Sequence, residues 1–193
     1  MDPIEEFRAL FAQAQAVDRT RLPDPTAMSL ATVSADGAPS VRIVLLKGVD
    51  DRGFVFYTNL RSRKGRELAA VPRAALCFYW AALDVQIRIE GDVEPVSDHE
   101  ADAYFASRAR ESQIGAWASS QSETLASMEQ LREHVAEVET RFANRPVPRP
   151  SHWSGRRVRP RRIEFWHAGA VRLHERRVFE RDGERWTMRL LFP

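Results

Sequence analysis

Near the C-terminus, Arg172-Leu173-His174-Glu175-Arg176 falls in a run that predicts a strand from Val171 to Glu180. On a strand, Arg172, His174 and Arg176 share one face. Such neighbours repel unless an anion lies among them, and Glu175 points the other way. In Arg42-Ile43-Val44-Leu45-Leu46-Lys47, within a strand predicted from Val41 to Lys47, Arg42, Val44 and Leu46 face one side. Ile43, Leu45 and Lys47 face the other. Cations among apolar neighbours are either ligand contacts or edge residues reaching for water. Tyr57-Thr58 closes a third strand, and Ser62-Arg63-Lys64-Gly65-Arg66 opens a helix. Free N–H groups at a helix start bind anions, whereas Arg and Lys there are unfavourable without one.

Tyr104, Arg108 and Ser112 recur four residues apart. A phenol, a guanidinium and a hydroxyl on one helix face suit a phosphate. A regular helix would spread them over about 12 Å, so the chain must bend near Ala109. Gln86 lies in an alternating strand, where an amide can donate and accept. Gln121-Ser122 adds another amide and a hydroxyl, and Trp166 either stacks on a ring or fills core.

The elements that must position these residues read as follows. Ile4, Phe7, Leu10, Phe11 and Ala14 share one face of a helix from Ile4 to about Ala16. Strands are expected over Ala27–Val33, Phe54–Thr58, Ala74–Trp80, Val85–Val96, Arg157–Trp166 and Arg185–Phe192. Short Asp/Gly turns between them favour antiparallel hairpins. A helix is expected over Ser62–Ala70. Ser97 with Glu100, and Ser127 with Gln130, have the form of capping boxes that open two further helices. Pro146–Pro150 is a stiff linker. The fold class is therefore α+β on an antiparallel barrel, in a single domain. Residues 1–24 form its N-terminal helix and linker, and 25–193 the barrel with inserted helices. No G-x-G-x-x-G is present, so side chains must hold any phosphorylated cofactor.

The chain has 193 residues, 29 Lys plus Arg and 27 Asp plus Glu, for a net charge of +2. That near balance argues against a polyanion-binding protein. One cysteine, Cys77, cannot form an internal disulfide, and no Cys/His spacing suits zinc, so no metal is expected. The absence of a signal-peptide pattern or a membrane-length apolar run leads to a cytoplasmic expectation.

These segments, in this order from about Pro25 onward, resemble the pyridoxamine 5'-phosphate oxidase family. The matching stretches are Arg42–Lys47 with Gly48, Gly53–Thr58, Ser62–Ala70, Gln86–Gly91, Tyr104–Arg108, Gly115–Ser119 with Gln121-Ser122, Ile163–Trp166 and Arg172–Arg176. The resemblance implies an FMN-binding split β-barrel, Greek-key-like with flanking helices, forming a homodimer with FMN at the subunit interface. Implied flavin contacts are Arg42, Ile43, Val44, Leu45, Leu46, Lys47, Tyr57, Thr58, Arg63, Lys64, Gln86, Gln121, Ser122, Trp166 and Arg176. The substrate phosphate would meet Lys47, Tyr104, Arg108 and Ser112. Arg172, Leu173 and His174 would lie at the pyridine ring, with Arg172 and His174 in the catalytic roles.

The implied reaction oxidises pyridoxamine or pyridoxine 5'-phosphate to pyridoxal 5'-phosphate. Dioxygen accepts the electrons and hydrogen peroxide forms, with ammonia from the amine. Three departures stand out: a short N-terminal segment, Arg156 in place of an aromatic residue, and His167-Ala168-Gly169 in place of Gln-Gly. Two alternatives remain: a related phenazine-pathway oxidase, or a non-catalytic flavin or pyridoxal phosphate carrier. The Arg156–Arg162 run raises nucleic acid as a partner, against which the low net charge weighs; neither nucleic acid nor membrane is expected.

Overall fold

Alternating apolar residues build one antiparallel sheet, curled into a half-barrel whose inner face is the core. A computed structural model describes residues 2–193. Helix α1 (Pro3–Ala16) begins at Asp2, whose carboxylate accepts the Ile4 N–H at 2.8 Å. It closes the barrel through Phe7, which is fully buried against Phe54, Phe78 and Trp80 at centroid distances of 4.8, 5.1 and 5.9 Å. Burying such a ring stabilises the fold by roughly 2–3 kcal/mol.

The hairpin β1 (Ala27–Val33) and β2 (Pro39–Leu45) is followed by β3 (Gly48–Asp50) and β4 (Gly53–Asn59). Helix α2 (Arg63–Ala70) leads to the long pair β5 (Arg73–Trp80) and β6 (Val85–Pro95). Helices α3 (Asp98–Ser107), α4 (Arg110–Ala118) and α5 (Met128–Arg141) come next, then β7 (Trp153–His167), β8 (Glu175–Asp182) and β9 (Arg185–Leu190). The sheet order is β2-β1-β5-β6-β7-β4-β3, with β8 and β9 continuing from β7. Strand β7 is 15 residues long and divides its free edge. Its first part pairs with β4 and its second with β8.

Four expectations need correction. Strand β2 stops at Leu45, so Lys47 lies in a link where its N–H donates to Val55 O at 2.8 Å. Strand β7 starts at Trp153 rather than Arg157. Gly155 pairs opposite Tyr57, and a Cβ there would meet Val96 Cγ2 at 2.7 Å and Tyr57 Cε1 at 2.8 Å. Only a glycine admits the ring at that crossing. Strand β8 starts at Glu175, not Val171. Glu100 does not return a capping bond to Ser97; its carboxylate accepts from Arg157 Nη2 at 2.7 Å.

The basic run of β7 is matched by acids. Arg159 faces Glu94 at 3.6 Å, Arg162 faces Glu90 at 3.1 Å, and Arg161 pairs with Asp92. Arg157, 1% exposed, bonds both Asp50 oxygens at 2.9 Å and also Glu100. Arg156 forms no ion pair among the described residues, and its Nε is buried without a partner. The run is thus largely a set of ion pairs rather than a free cationic face. Among the described residues, no helix is long and apolar enough to cross a membrane.

Candidate active site

A cavity of about 680 Å³ opens between β2, the start of α2, the end of β4 and the helical insertion. It gathers Arg42, Ile43, Val44, Leu45, Lys47, Tyr57, Thr58, Arg63, Lys64, Tyr104, Arg108, Gln121 and Ser122. Segments as far apart in the chain as β2 and the α4–α5 loop converge here, which no single stretch of sequence reveals.

Its cation-rich wall is built on α2. Ser62 caps the helix by accepting the Gly65 N–H at 3.3 Å, and no acidic residue occupies the first turn. Lys64 Nζ, largely buried, donates to Gln121 Oε1 at 3.0 Å and Ser62 Oγ at 3.4 Å. Burial and then the Arg42 charge push its pKa down, against Glu67. Thr58 Oγ1 donates to the same Gln121 oxygen at 3.4 Å. This amide thereby ties the α4–α5 loop to β4 and α2. Ser122 sits beside it at a left-handed φ of 74°.

The opposite wall is aromatic. Tyr57 stacks on Tyr104 with centroids 4.0 Å apart and on Trp153 at 5.2 Å. Burial first, then Glu100 and Tyr104, push the Tyr57 phenol up to about 12, so it keeps its proton at neutral pH. The Arg108 guanidinium lies 4.7 Å over the Trp153 ring and 5.6 Å from that of Phe105. Its Nη1 is buried with no hydrogen-bond partner, and burial lowers its pKa. Among the described residues, Lys47, Lys64 and Arg108 form no salt bridge. Arg108 caps the end of α3, its ψ of 149° turning the chain out, and Ala109 (ψ 142°) is the N-cap of α4. This is the bend that Tyr104, Arg108 and Ser112 require. Ser112 is nevertheless exposed on α4 and does not line the cavity. Leu46 also stays outside it, since its side chain is 4% exposed within the core.

Gln86, Trp166, Arg172, Leu173, His174 and Arg176 lie elsewhere, on the outer face of β6–β7–β8 and the turn before β8. Gln86 is paired across from Trp166, and Trp166 from Arg176, so the three form one row over three strands. Arg176 is held by Glu164, with Nε at 2.9 Å and Nη2 at 2.8 Å from Oε1. Its Nη1 donates to Phe192 O at 2.9 Å. Glu164, 2% exposed, also receives Arg88 and Arg162.

The shared strand face expected for Arg172, His174 and Arg176 is not formed. Val171 and Arg172 have φ of 48° and 64°, and Leu173 N–H donates to Ala170 O at 3.0 Å. The chain therefore turns, and only Arg176 belongs to the strand. Gly169 permits this turn, because a Cβ would sit 1.9 Å from Leu173 O. Gly169 N–H donates to His174 Nδ1 at 3.2 Å, and the imidazole rests 4.6 Å from the Trp166 ring. His174 and Trp166 are thus brought together, while Arg172 and Leu173 are exposed.

Sequence reasoning passed over Ser40, Trp153 and Glu67. Ser40 and Trp153 line the cavity, and Glu67 braces its arginines. The only sequence signal for Glu67 is its position four residues after Arg63. Trp153 follows a proline-rich linker and carries no periodic signal.

Comparison with known proteins bears on the family and the fold. Residues 14–142 match the family model for pyridoxamine 5'-phosphate oxidase. Residues 153–193 match that for the pyridoxine 5'-phosphate oxidase C-terminal dimerisation region. The chain is 59% identical over 192 residues to a pyridoxine/pyridoxamine 5'-phosphate oxidase of Myxococcus xanthus, covering 100% of this chain and 92% of the relative. Among solved structures, PhzG from Burkholderia lata 383, in complex with tetrahydrophenazine-1-carboxylic acid, superposes with a TM-score of 0.92 at 36% identity. That match covers 100% of this chain and 93% of the other. A pyridoxamine 5'-phosphate oxidase-related, FMN binding protein from Nostoc punctiforme superposes at 0.77 with 17% identity, covering 97% of each chain, which speaks to the split-barrel fold alone. By sequence match along nearly its whole length and by its half-barrel fold, the chain belongs to the pyridoxamine 5'-phosphate oxidase family.

Proposed function

We propose that this chain oxidises pyridoxine and pyridoxamine 5'-phosphate to pyridoxal 5'-phosphate, with FMN held between two copies of itself. The observation that carries the reading is a cavity in which three cations lack acids: Arg108 Nη1 is buried and bonded to nothing, and Lys47 and Lys64 form no ion pair among the described residues. Phosphate oxygens are the acceptors such donors need. The donor set fits a flavin phosphate, with Lys64 and Thr58 joined through Gln121, Arg42 and Arg63 joined through Glu67, and Ser122 beside Gln121 in the lining. A second phosphate would take Lys47, Tyr104 and Arg108, which line the same cavity. Ser112 joins the second group from α4 and is its weakest member, being outside the cavity.

Bound FMN would supply the two-electron acceptor for the hydride leaving C4' of the substrate, with dioxygen as final acceptor and hydrogen peroxide as product. The chain's own residues bind and orient. Residues Arg42 to Lys47 border the flavin, Leu46 through its backbone, and Tyr57 keeps its phenolic proton. Gln86, Trp166 and Arg176 of the second copy meet the ring system, since in one copy they lie away from the cavity. Arg172, Leu173 and His174 of that copy lie against the pyridine. Gly169 N–H occupies His174 Nδ1, so the neutral imidazole carries its proton at Nε2 and presents a donor there. From the amine, hydride loss leaves a substrate imine, which water hydrolyses to the aldehyde with release of ammonia.

A second reading has one observation in its favour, the 0.92 superposition on PhzG. Against it stand the higher identity to the M. xanthus oxidase and a cavity suited to a phosphorylated substrate. Purified protein should be yellow, and anaerobic pyridoxamine 5'-phosphate should bleach it. A colourless protein that takes up no FMN would refute the reading. A flavoprotein indifferent to both pyridine phosphates would favour the phenazine-type alternative.

A further inference from the structure

Behind the cation-rich wall sits a carboxylate, Glu67, on the buried side of α2. It is 5% exposed and does not line the cavity. Four donors converge on it: Thr32 Oγ1 at 2.5 Å, Ser40 Oγ at 2.7 Å, Arg63 Nε at 2.8 Å and Arg42 Nη2 at 3.3 Å. Burial alone would raise its pKa, but the bonds from Thr32, Ser40 and Arg63 outweigh that and hold it at about 2. It is therefore anionic at any working pH. The same lattice fixes Arg42, whose Nη1 also donates to Leu30 O at 3.1 Å and to Thr32 Oγ1 at 2.5 Å. Arg42 and Arg63 line the cavity, and each is held by a carboxylate outside it.

Resting on the reading of this cavity as the flavin phosphate site, we infer that Glu67 is a positioning residue: it orients Arg42 and Arg63 toward the phosphate of FMN. Two physical effects oppose each other here, and their signs differ. A negative charge behind the site repels a phosphate, so by Coulomb's law alone its removal tightens binding. Arg side chains, however, lose substantial rotamer freedom when ordered. If Glu67 has already ordered both guanidiniums, binding avoids that cost, and removal of Glu67 weakens it. Its near-complete burial and four donors favour ordering over repulsion. The position adds a requirement, because loss of Glu67 also leaves the Thr32 and Ser40 hydroxyls without their acceptor.

The test compares FMN with riboflavin, which lacks the phosphate, by fluorescence titration of the full chain freed of flavin. Glu67→Gln keeps the shape and removes the charge. The expected result is weakening of FMN binding by about tenfold or more, the scale of a lost charge-assisted hydrogen bond, with riboflavin unchanged. Thr32→Val removes one donor to Glu67 and one acceptor of Arg42 without touching the cavity lining. It should move FMN in the same direction by less. If Glu67→Gln binds FMN equally or more tightly, or loses both flavins by the same factor, the inference is overturned while the cavity assignment stands. If the unsubstituted chain fails to prefer FMN over riboflavin, the cavity assignment falls and takes the inference with it.

Discussion

The cavity and the outer sheet face hold comparable sets of cations but are built in opposite ways. In the cavity, Arg42 and Arg63 are tied to Glu67, Lys64 to Gln121, and Arg108 is laid on Trp153. The cations are ordered before any ligand arrives, inside a concavity that a ligand can fill. On the outer face, Trp166 and Arg176 lie in an open row, and Arg172 and Leu173 project from a turn held by two left-handed residues. Nothing in one copy encloses them. The difference teaches that the cavity is a preformed concavity, whereas the outer face, though Arg176 is also tied to Glu164, stays open in one copy and under the proposed function would act only against a second copy. Residues 153–193, which carry all of that surface except Gln86, match the dimerisation-region model. The shared apolar exposure of Ile43 (63%) and Leu173 (71%) suits such a contact.

The sharpest way to break this comparison is complementation. Lys64→Glu should abolish activity through the cavity and His174→Ala through the outer face. If one site draws on both copies, random mixing of the two inactive dimers restores about a quarter of the wild-type sites, since half the dimers are mixed and each has one intact site. If each site lies within one chain, mixing restores nothing. This is measured as turnover after denaturation and refolding together.

Next in size, Arg108→Leu should lower kcat/KM for the phosphorylated substrate by roughly 10–100-fold while FMN affinity is unchanged, as for a lost charge-assisted contact. Steady-state kinetics with a flavin titration separates the two. Equal loss of flavin would place Arg108 at the wrong phosphate. Gly169→Ala should act on the outer face alone. Its Cβ would meet the Leu173 carbonyl at 1.9 Å, displacing the turn that carries Arg172 and His174. We expect kcat to fall by about tenfold, from misplacement of catalytic groups rather than their loss, with the flavin spectrum retained.

The smallest effect is confined to acid. The folded-state pKa of Glu67 lies below its ordinary 4.5, at about 2. Its stabilisation is therefore fully present above pH 4.5 and is lost as pH falls toward 2. Denaturant midpoints of the wild type should drop through that window, and those of Glu67→Gln should drop less. Parallel curves would mean that Glu67 does not carry this dependence.

Much of the fold was legible because its cues are local. Helix α1 follows from the spacing of Ile4, Phe7 and Ala14, and Asp/Gly residue types mark hairpin turns such as the one between β8 and β9, where Gly183 has φ 59°. A bend near Ala109 was expected so that Tyr104, Arg108 and Ser112 could meet one phosphate; the break is there, yet Ser112 stays outside the cavity. The turn before β8 was not legible, because Val171 and Arg172, at φ 48° and 64°, carry side chains that disfavour a left-handed backbone. It forms where Gly169 lets Leu173 approach, a contact that periodicity does not encode. The start of β7 was missed for a similar reason: Gly155 weakens a strand unless Tyr57 needs the space opposite it.

Residue types and their order determined the class of chemistry. Arg42, Arg63, Lys64 and Arg108 are strong anion donors wherever they stand, and alternation fixed which face of β2 each side chain takes. Tertiary structure alone decided how these groups combine, because convergence depends on pairings across the whole chain, such as β4 with β7 and Lys64 with Gln121. It also decided that Gln86, Trp166 and Arg176 stand apart from the cavity in a single copy. Distance between residues far apart in sequence is a property of the folded sheet, and no local propensity contains it.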